Sequence, residues 1–331
     1  MRELGASWVR VGDLAFGAAA IGNLFRETSD EEAQSAVDSA WDSGIRCFDT
    51  APHYGLGLSE RRLGAALRSR PRTEFTVSTK VGRVLEPVAE PAGDDLANGF
   101  AVPATHRRRW DFSADGVTRS LADSLDRLGL DRVDIVYLHD PDDHVDLALR
   151  EALPELRRLR AEGVIGAIGV GMNQADALTR FVRDGDIDVV LLAGRYTLLD
   201  QRGLDELLPA ASEFGVSVVV GGVFNSGLLA DPRPDATFDY APVTPEVLAR
   251  ALRIQEVCGS HGVPLRAAAL RFPFGHPAVA SVLLGGRTPA EVRDAVAMAA
   301  HPVPDALWDD LRANGLLPSD VPVPATERVH P

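Results

Sequence analysis

Gly17-Ala18-Ala19-Ala20-Ile21-Gly22 follows the first strand-like run of the chain, residues 14–18. A strand opening into a glycine-containing turn has two common meanings in α/β proteins. In a doubly wound open sheet the turn carries a dinucleotide fingerprint, whose second glycine lets the backbone approach a pyrophosphate. Ala19 stands at that position, so the fingerprint is broken. The better reading is a closed (β/α)₈ barrel.

The rest of the chain supports that choice. Strand-like runs end at Asp49 and then cover 75–80, 133–139, 164–170, 187–192, 216–220 and 279–284. They are nearly continuous in apolar residues, as strands buried on both faces should be. Helical patterns separate them. One follows Ser29, which caps it while Asp30, Glu31 and Glu32 fill a first turn that favours negative charge. Others cover 59–69, 111–128, 147–162, 175–184, 204–214, 245–261 with 265–272, and 289–298, and a short one lies at 306–313. Eight strands alternating with eight helices make an α/β chain of the barrel type. A single barrel domain is expected over 1–331, with a proline-rich tail from His301. Residues 83–112 show no clean period and read as a long loop after the third strand, on the substrate side. Within it, Arg107-Arg108-Arg109 reads as a solvated basic run.

Polar residues collect where the strands end. Asp49 closes one run in Cys47-Phe48-Asp49-Thr50-Ala51-Pro52-His53-Tyr54-Gly55, Lys80 closes the next, and His139 closes Val133-Asp134-Ile135-Val136-Tyr137-Leu138-His139. In a barrel these ends gather at one face. Asp49, Tyr54, Lys80 and His139 are therefore expected to form one proton-transfer site. A tyrosine has an ordinary pKa of about 10, and a nearby ammonium lowers it. Lys80 would supply that ammonium, Asp49 would hold it, and His139 would bond the same substrate oxygen. Such a set moves a proton at a carbonyl or hydroxyl oxygen without a metal, and needs a separate hydride carrier. Taken one at a time, the four residues also serve as a cap, packing, a solvated lysine and a core histidine. Lys80 alone would also suit Schiff-base chemistry.

Composition narrows the classes. The net charge of −14 argues against a nucleic-acid partner. No apolar run approaches the ~18 residues of a membrane span, and the first residues resemble no targeting segment. Cys47 and Cys258 sit in apolar company and read as buried free thiols of a cytoplasmic protein.

The stretch from Asp49 to Gly55, with Ser59-Glu60-Arg61-Arg62-Leu63-Gly64, Ser78-Thr79-Lys80, Ser120-Leu121 and Asp134-Ile135-Val136-Tyr137-Leu138-His139, resembles the aldo-keto reductases from about residue 14 to 296. The resemblance implies a (β/α)₈ barrel, an extended nicotinamide cofactor, and Tyr54 as general acid/base supported by Asp49, Lys80 and His139. Asn173, in Gly171-Met172-Asn173, is then the candidate for the nicotinamide amide. Ala193 stands where the family has glutamine, and Gly221-Gly222-Val223-Phe224-Asn225-Ser226-Gly227 replaces the family's aromatic segment. These departures, with Arg195-Tyr196-Thr197-Leu198-Leu199-Asp200, resemble the sugar 1-dehydrogenase branch, to which pyridoxal 4-dehydrogenase is similar.

The resemblance puts the cofactor against Gly221, Gly222, Phe224, Asn225, Gly227 and Leu228, and its adenosine end at Gly285, Gly286, Arg287 and Glu291. Backbone amides of the glycine runs would cradle the pyrophosphate. Glu291 would repel a 2′-phosphate, Arg287 would attract one, and the balance favours NAD over NADP. His53, Phe100 and Trp110 are the candidate substrate residues. The expected reaction is oxidation of an aldose at C1 to the lactone. Pyridoxal oxidation and general aldehyde or ketone reduction are the alternatives within the enzyme class, and a cofactor-binding sensor is the alternative outside it. Beyond a small sugar or aldehyde the expected partners are few: no nucleic acid, no membrane, and a monomer or small homo-oligomer.

Overall fold

The computed structural model describes residues 1–239 and 241–325. Eight parallel strands close into a barrel. They are β1 Leu14–Gly17, β2 Cys47–Asp49, β3 Thr76–Val81, β4 Ile135–His139, β5 Ala167–Met172, β6 Val189–Ala193, β7 Ser217–Gly221 and β8 Val279–Gly285. Each pairs with the next in chain order, and β8 returns to β1 with Val282 opposite Leu14 and Gly285 opposite Gly17.

Side-chain parity decides what reaches the site. Successive residues of a strand face opposite sides. Phe16, Phe48, Val77, Val136 and Leu138 face outward and pack with the surrounding helices in the main core. Ala15, Cys47, Ile135, Tyr137, Ala167, Val189, Leu191 and Val219 face inward and fill the barrel. Asp49, Lys80 and His139 share the inward parity of Cys47, Ser78 and Tyr137, so all three emerge inside the same rim. Below them Tyr137 fills the barrel so closely that a Cβ on Gly169 would stand 2.5 Å from its ring. An antiparallel ribbon, Arg2–Glu3 with Arg10–Val11, brings Leu4, Val9 and Val11 into this inner cluster at the opposite end.

The helices have local causes. α1, Asp30–Asp42, starts with a full capping box between Ser29 and Glu32 and buries Ala33, Ala36, Val37, Ala40 and Trp41. Such a cap contributes about 1 kcal/mol. α2, Leu58–Leu67, follows the loop that carries Tyr54. α3, Ala114–Leu128, is capped by Ser113 and stopped by Gly129 in the left-handed region. The helix expected at 147–162 is interrupted. Ala148–Ala152 is π-helical before α4, Leu153–Ala161, and Pro154 has no N–H to donate back into that turn. Further on lie α5 Ala175–Asp184, α6 Leu207–Phe214, α7 Pro245–Ser260, α8 Leu265–Arg271, α9 Pro289–Ala299 and α10 Asp305–Ala313. The expected tail is described only to residue 325, and its remainder lies outside the described residues. Among the described residues, no helix is long and apolar enough to cross a membrane. Both cysteines are buried free thiols.

Residues 83–112 are not the irregular loop expected. Arg83–Pro87 pairs antiparallel with His106–Trp110, and Asp94–Asp95 pairs with Phe100–Pro103 inside that ribbon. Ion pairs hold the outer strands: Glu86 receives both Arg107 and Arg109. A ribbon fastened by charge has no apolar alternation, which is why its period was invisible.

Candidate active site

Each strand end supplies one group. Asp49 Oδ2 accepts from Lys80 Nζ at 2.6 Å, and its Oδ1 accepts from Ser78 Oγ at 2.7 Å. Lys80 Nζ also donates to the carbonyl of Thr50 at 2.9 Å. The two charges are 3% and 2% exposed. Tyr54 arrives from the loop after β2, where its N–H donates to the carbonyl of Ala51 at 3.1 Å. Gly55 follows in the left-handed region, and a Cβ there would stand 2.2 Å from the carbonyl oxygen of Gly22. This close approach sets the height of the tyrosine. Lys80 Nζ lies 4.8 Å from the centre of the Tyr54 ring. The His139 ring centre is 6.0 Å from that of Tyr54 and 5.6 Å from that of His53.

The charges within this group are settled by burial and by neighbours. Burial pushes the Tyr54 phenol above its ordinary value, and the Lys80 ammonium offsets this only in part. That corrects the expected net lowering: the ammonium acts in the expected direction, but desolvation of a phenolate outweighs it. Burial also works against a charged Lys80, yet Asp49 and then Tyr54 outweigh it and raise the lysine, which stays an ammonium. His139 is held well below the usual histidine range by burial and by Arg83, Lys80, His53 and Arg108, so its ring is neutral. A phenol that keeps its proton, a fixed ammonium and a neutral imidazole around one space suit proton transfer at a single oxygen.

That space is a cavity of about 500 Å³. Tyr54, Lys80 and His139 line it together with His53, Phe100, Asn173 and Ala193. Trp110 is not among its walls. Trp110 is 44% exposed, stacks on Phe112 at 6.0 Å and covers the Arg83 guanidinium at 4.4 Å. Arg83 in turn pairs with Asp140, the residue after His139, whose φ of 45° lies in the left-handed region. Sequence reading missed this pair. Its one signal was the acid directly after the strand-end histidine.

A second cavity of about 610 Å³ adjoins the first at Leu24 and Phe25. Gly222, Phe224, Asn225, Gly227 and Gly285 line it. No heavy atom lies within 4 Å of where a Cβ on Gly285 would stand, and Gly222 is left-handed. An open groove floored by glycines and running into the Tyr54 cavity fits an extended dinucleotide. Other expected cofactor residues do different work. The side chain of Asn225 accepts from Thr197 Oγ1 at 2.6 Å and donates to Gly194 O at 3.2 Å. The amides of Asn225, Gly227 and Leu228 donate to the carbonyls of Gly222, Phe224 and Asn225. The turn thus closes on itself through these three amides. Leu228 is buried in the main core, and Gly221 packs near Leu191 and Ala193. Gly286 lets Val292 approach. The Arg287 guanidinium donates to the carbonyls of Leu24 and Arg26 and to Thr28 Oγ1, at 2.6, 2.9 and 2.8 Å. Glu291 accepts from the Arg287 amide at 2.8 Å.

Comparison with known proteins agrees with this geometry. The family model described as the aldo/keto reductase family matches residues 13–314. A D-threo-aldose 1-dehydrogenase from a Pseudomonas species is 50% identical over 319 residues, which is 95% of this chain and 97% of that protein. A pyridoxal 4-dehydrogenase from Microbacterium luteolum is 39% identical, covering 96% and 97%. Among solved structures, an aldo-keto reductase from Bacillus halodurans in its holo form superposes with a TM-score of 0.76 at 27% identity, covering 97% of each chain.

Proposed function

The chain belongs to the aldo/keto reductase family, an NAD(P)-dependent oxidoreductase by that membership, and on that premise we propose that it oxidises an aldose at C1 to the lactone. The observation that carries the chemistry is the buried Asp49–Lys80 pair beside Tyr54, in a cavity that runs into a glycine-floored cleft. The sugar class follows the 50% identical relative named for that activity.

Bound nicotinamide dinucleotide supplies the hydride acceptor. Asn173 would hold its carboxamide, and Gly222, Phe224 and Gly285 would line the path of the remainder. Tyr54 takes the proton of the anomeric hydroxyl during oxidation and returns it to the carbonyl during reduction. Lys80 stabilises the phenolate that this exchange requires, and Asp49 keeps Lys80 charged and aimed. The neutral His139 ring hydrogen-bonds the same oxygen. His53 and Phe100 form the wall against which the rest of the substrate lies.

NAD is the proposed cofactor. The one cation expected to attract a 2′-phosphate, Arg287, has its guanidinium turned to Leu24, Arg26 and Thr28. Glu291 keeps a carboxylate at the start of α9. Turnover of an aldose panel and pyridoxal with NAD⁺ and NADP⁺ tests the proposal. Aldose oxidation with a higher kcat/KM for NAD⁺ is expected. Preference for pyridoxal would move the substrate assignment to that relative's chemistry. Cofactor binding without turnover in either direction would overturn the enzyme reading.

A further inference from the structure

Arg108 has no part in proton transfer, yet it is the most enclosed member of the basic run. In the ribbon strand His106–Trp110, Arg107 and Arg109 share one face and meet Glu86. Alternation turns Arg108 to the other face, toward the barrel mouth. Its side chain is only 11% exposed. Asp95 grips it bidentately, with Nη1 and Nη2 donating to the two carboxylate oxygens at 2.7 and 2.5 Å. The same guanidinium donates from Nη2 to the His53 carbonyl at 2.9 Å and from Nε to His53 Nδ1 at 2.5 Å.

An arginine donates hydrogen bonds and accepts none. His53 Nδ1 must therefore be the acceptor, and the single proton of the neutral ring lies on Nε2. The ring lines the substrate cavity beside Tyr54 and His139. Among the described residues Nε2 has no hydrogen-bond partner and is not one of the buried unpartnered atoms, so it is accessible on a ring that lines the cavity. We propose that Arg108, clamped by Asp95, is a positioning residue that fixes His53 as an Nε2–H donor, which selects substrates carrying an oxygen acceptor next to the reacting carbon. The inference rests on the cavity being the substrate site. A donor that cannot become an acceptor is left unpaired by a substrate lacking that oxygen, and unpaired buried donors discriminate strongly.

The surroundings keep the ring neutral. Burial lowers His53 to about 2, helped by Arg83, Arg108 and Lys80. Asp95 faces Arg108 from behind, Asp140 faces Arg83, and Tyr54 and His139 are the adjacent titratable groups. Positive charge thus meets the ring from β3, the ribbon and the residue that opens it.

The test compares glyceraldehyde with propanal, which lacks the hydroxyls, by oxidation of NADH or NADPH in wild type, Arg108→Met, Arg108→Lys, His53→Phe and His53→Gln. Wild type should prefer glyceraldehyde. Arg108→Met and His53→Phe should each cut that preference by roughly tenfold or more, mainly through KM. The double variant should lose no more than either single one. His53→Gln, which keeps an N–H near Nε2, should retain most of the preference, and Arg108→Lys part of it. In Arg108→Met the glyceraldehyde kcat/KM should also gain an acid limb nearer the ordinary histidine pKa of about 6.5. Equal losses on both aldehydes, additive losses in the double variant, or no preference in wild type would overturn the proposal. If Arg108→Met fails to fold by circular dichroism, the Phe and Gln variants of His53 decide. A wild type that keeps the glyceraldehyde preference but oxidises no aldose would sink the lactone-forming reaction and leave this inference standing.

Discussion

The two ends of the barrel use the same pairing for opposite purposes. At the N-terminal end Asp134 and Asp188 stand just before β4 and β6. Asp134 Oδ2 accepts from the Val77 amide and from Arg72, both at 2.8 Å. Asp188 Oδ2 accepts from the Ile168 amide at 2.8 Å and from Arg160 at 2.7 Å. Each carboxylate staples a neighbouring strand and is neutralised by a guanidinium at the surface. At the C-terminal end Asp49 also holds a cation, and it too is buried. There the cation acts on a phenol, Nδ1 of the neighbouring His139 has no partner among the described residues, and Asp140 sits in a left-handed conformation. A buried ion pair is thus no sign of chemistry by itself. What sets the C-terminal end apart is the phenol beside its cation, with Lys80 Nζ 4.8 Å from the centre of the Tyr54 ring.

Tyr54→Phe tests that difference most severely. It should bind cofactor normally, seen by fluorescence quenching, and lose turnover by roughly 10²–10⁴-fold. Full activity would remove Tyr54 from the proton step. Because burial raises the Tyr54 pKa, wild-type oxidation should climb with pH through the neutral range, whereas reduction should fall only in alkali. A flat oxidation profile would contradict the phenol as the titrating group.

Lys80→Met should do two things at once. It removes the cation beside Tyr54 and leaves Asp49 buried without its partner, so turnover should collapse and stability should drop by about 3–5 kcal/mol. Asp188→Ala is its counterpart at the other end. Loss of the partner for the Ile168 amide should cost ~1–3 kcal/mol in denaturant unfolding and leave kcat unchanged. Equal effects of the two variants on kcat would erase the distinction between the ends.

Acid stability gives the smallest effect. His53 and His139 are both neutral when folded, with pKa values below those of the unfolded chain. The unfolded state therefore binds more protons below about pH 6.5, and stability should fall as pH drops from there toward the folded values. Replacing His53 by Gln should reduce this slope by up to ~1.4 kcal/mol per pH unit. An unchanged slope would mean that His53 is already charged in the folded protein.

Most strand ends were legible because a parallel barrel strand, buried on both faces, announces itself as an apolar run ending at a polar residue. Asp49, Lys80 and His139 share inward parity with Cys47, Ser78 and Tyr137, and two-residue alternation carries that information directly. The ribbon at 83–112 was not legible. Its stabilising contacts join Glu86 to Arg107 and Arg109, and charge pairs leave no hydrophobic period. That Trp110 covers the Arg83 guanidinium was equally invisible, because the two are joined by ribbon pairing and not by sequence spacing. The partners of the Asn225 side chain, Thr197 and Gly194, come from another loop and leave no local signal in the sequence.

The barrel and the convergence of Asp49, Tyr54, Lys80 and His139 could be read from residue order alone, since they follow from local period and from strand ends that must share one rim. The net direction of the Tyr54 shift, the partners of Arg287 and the grip of Arg108 on His53 emerged from the folded arrangement. Those depend on how much water each group loses and on which distant side chain reaches it first, and neither quantity is written in the spacing of residues along a chain.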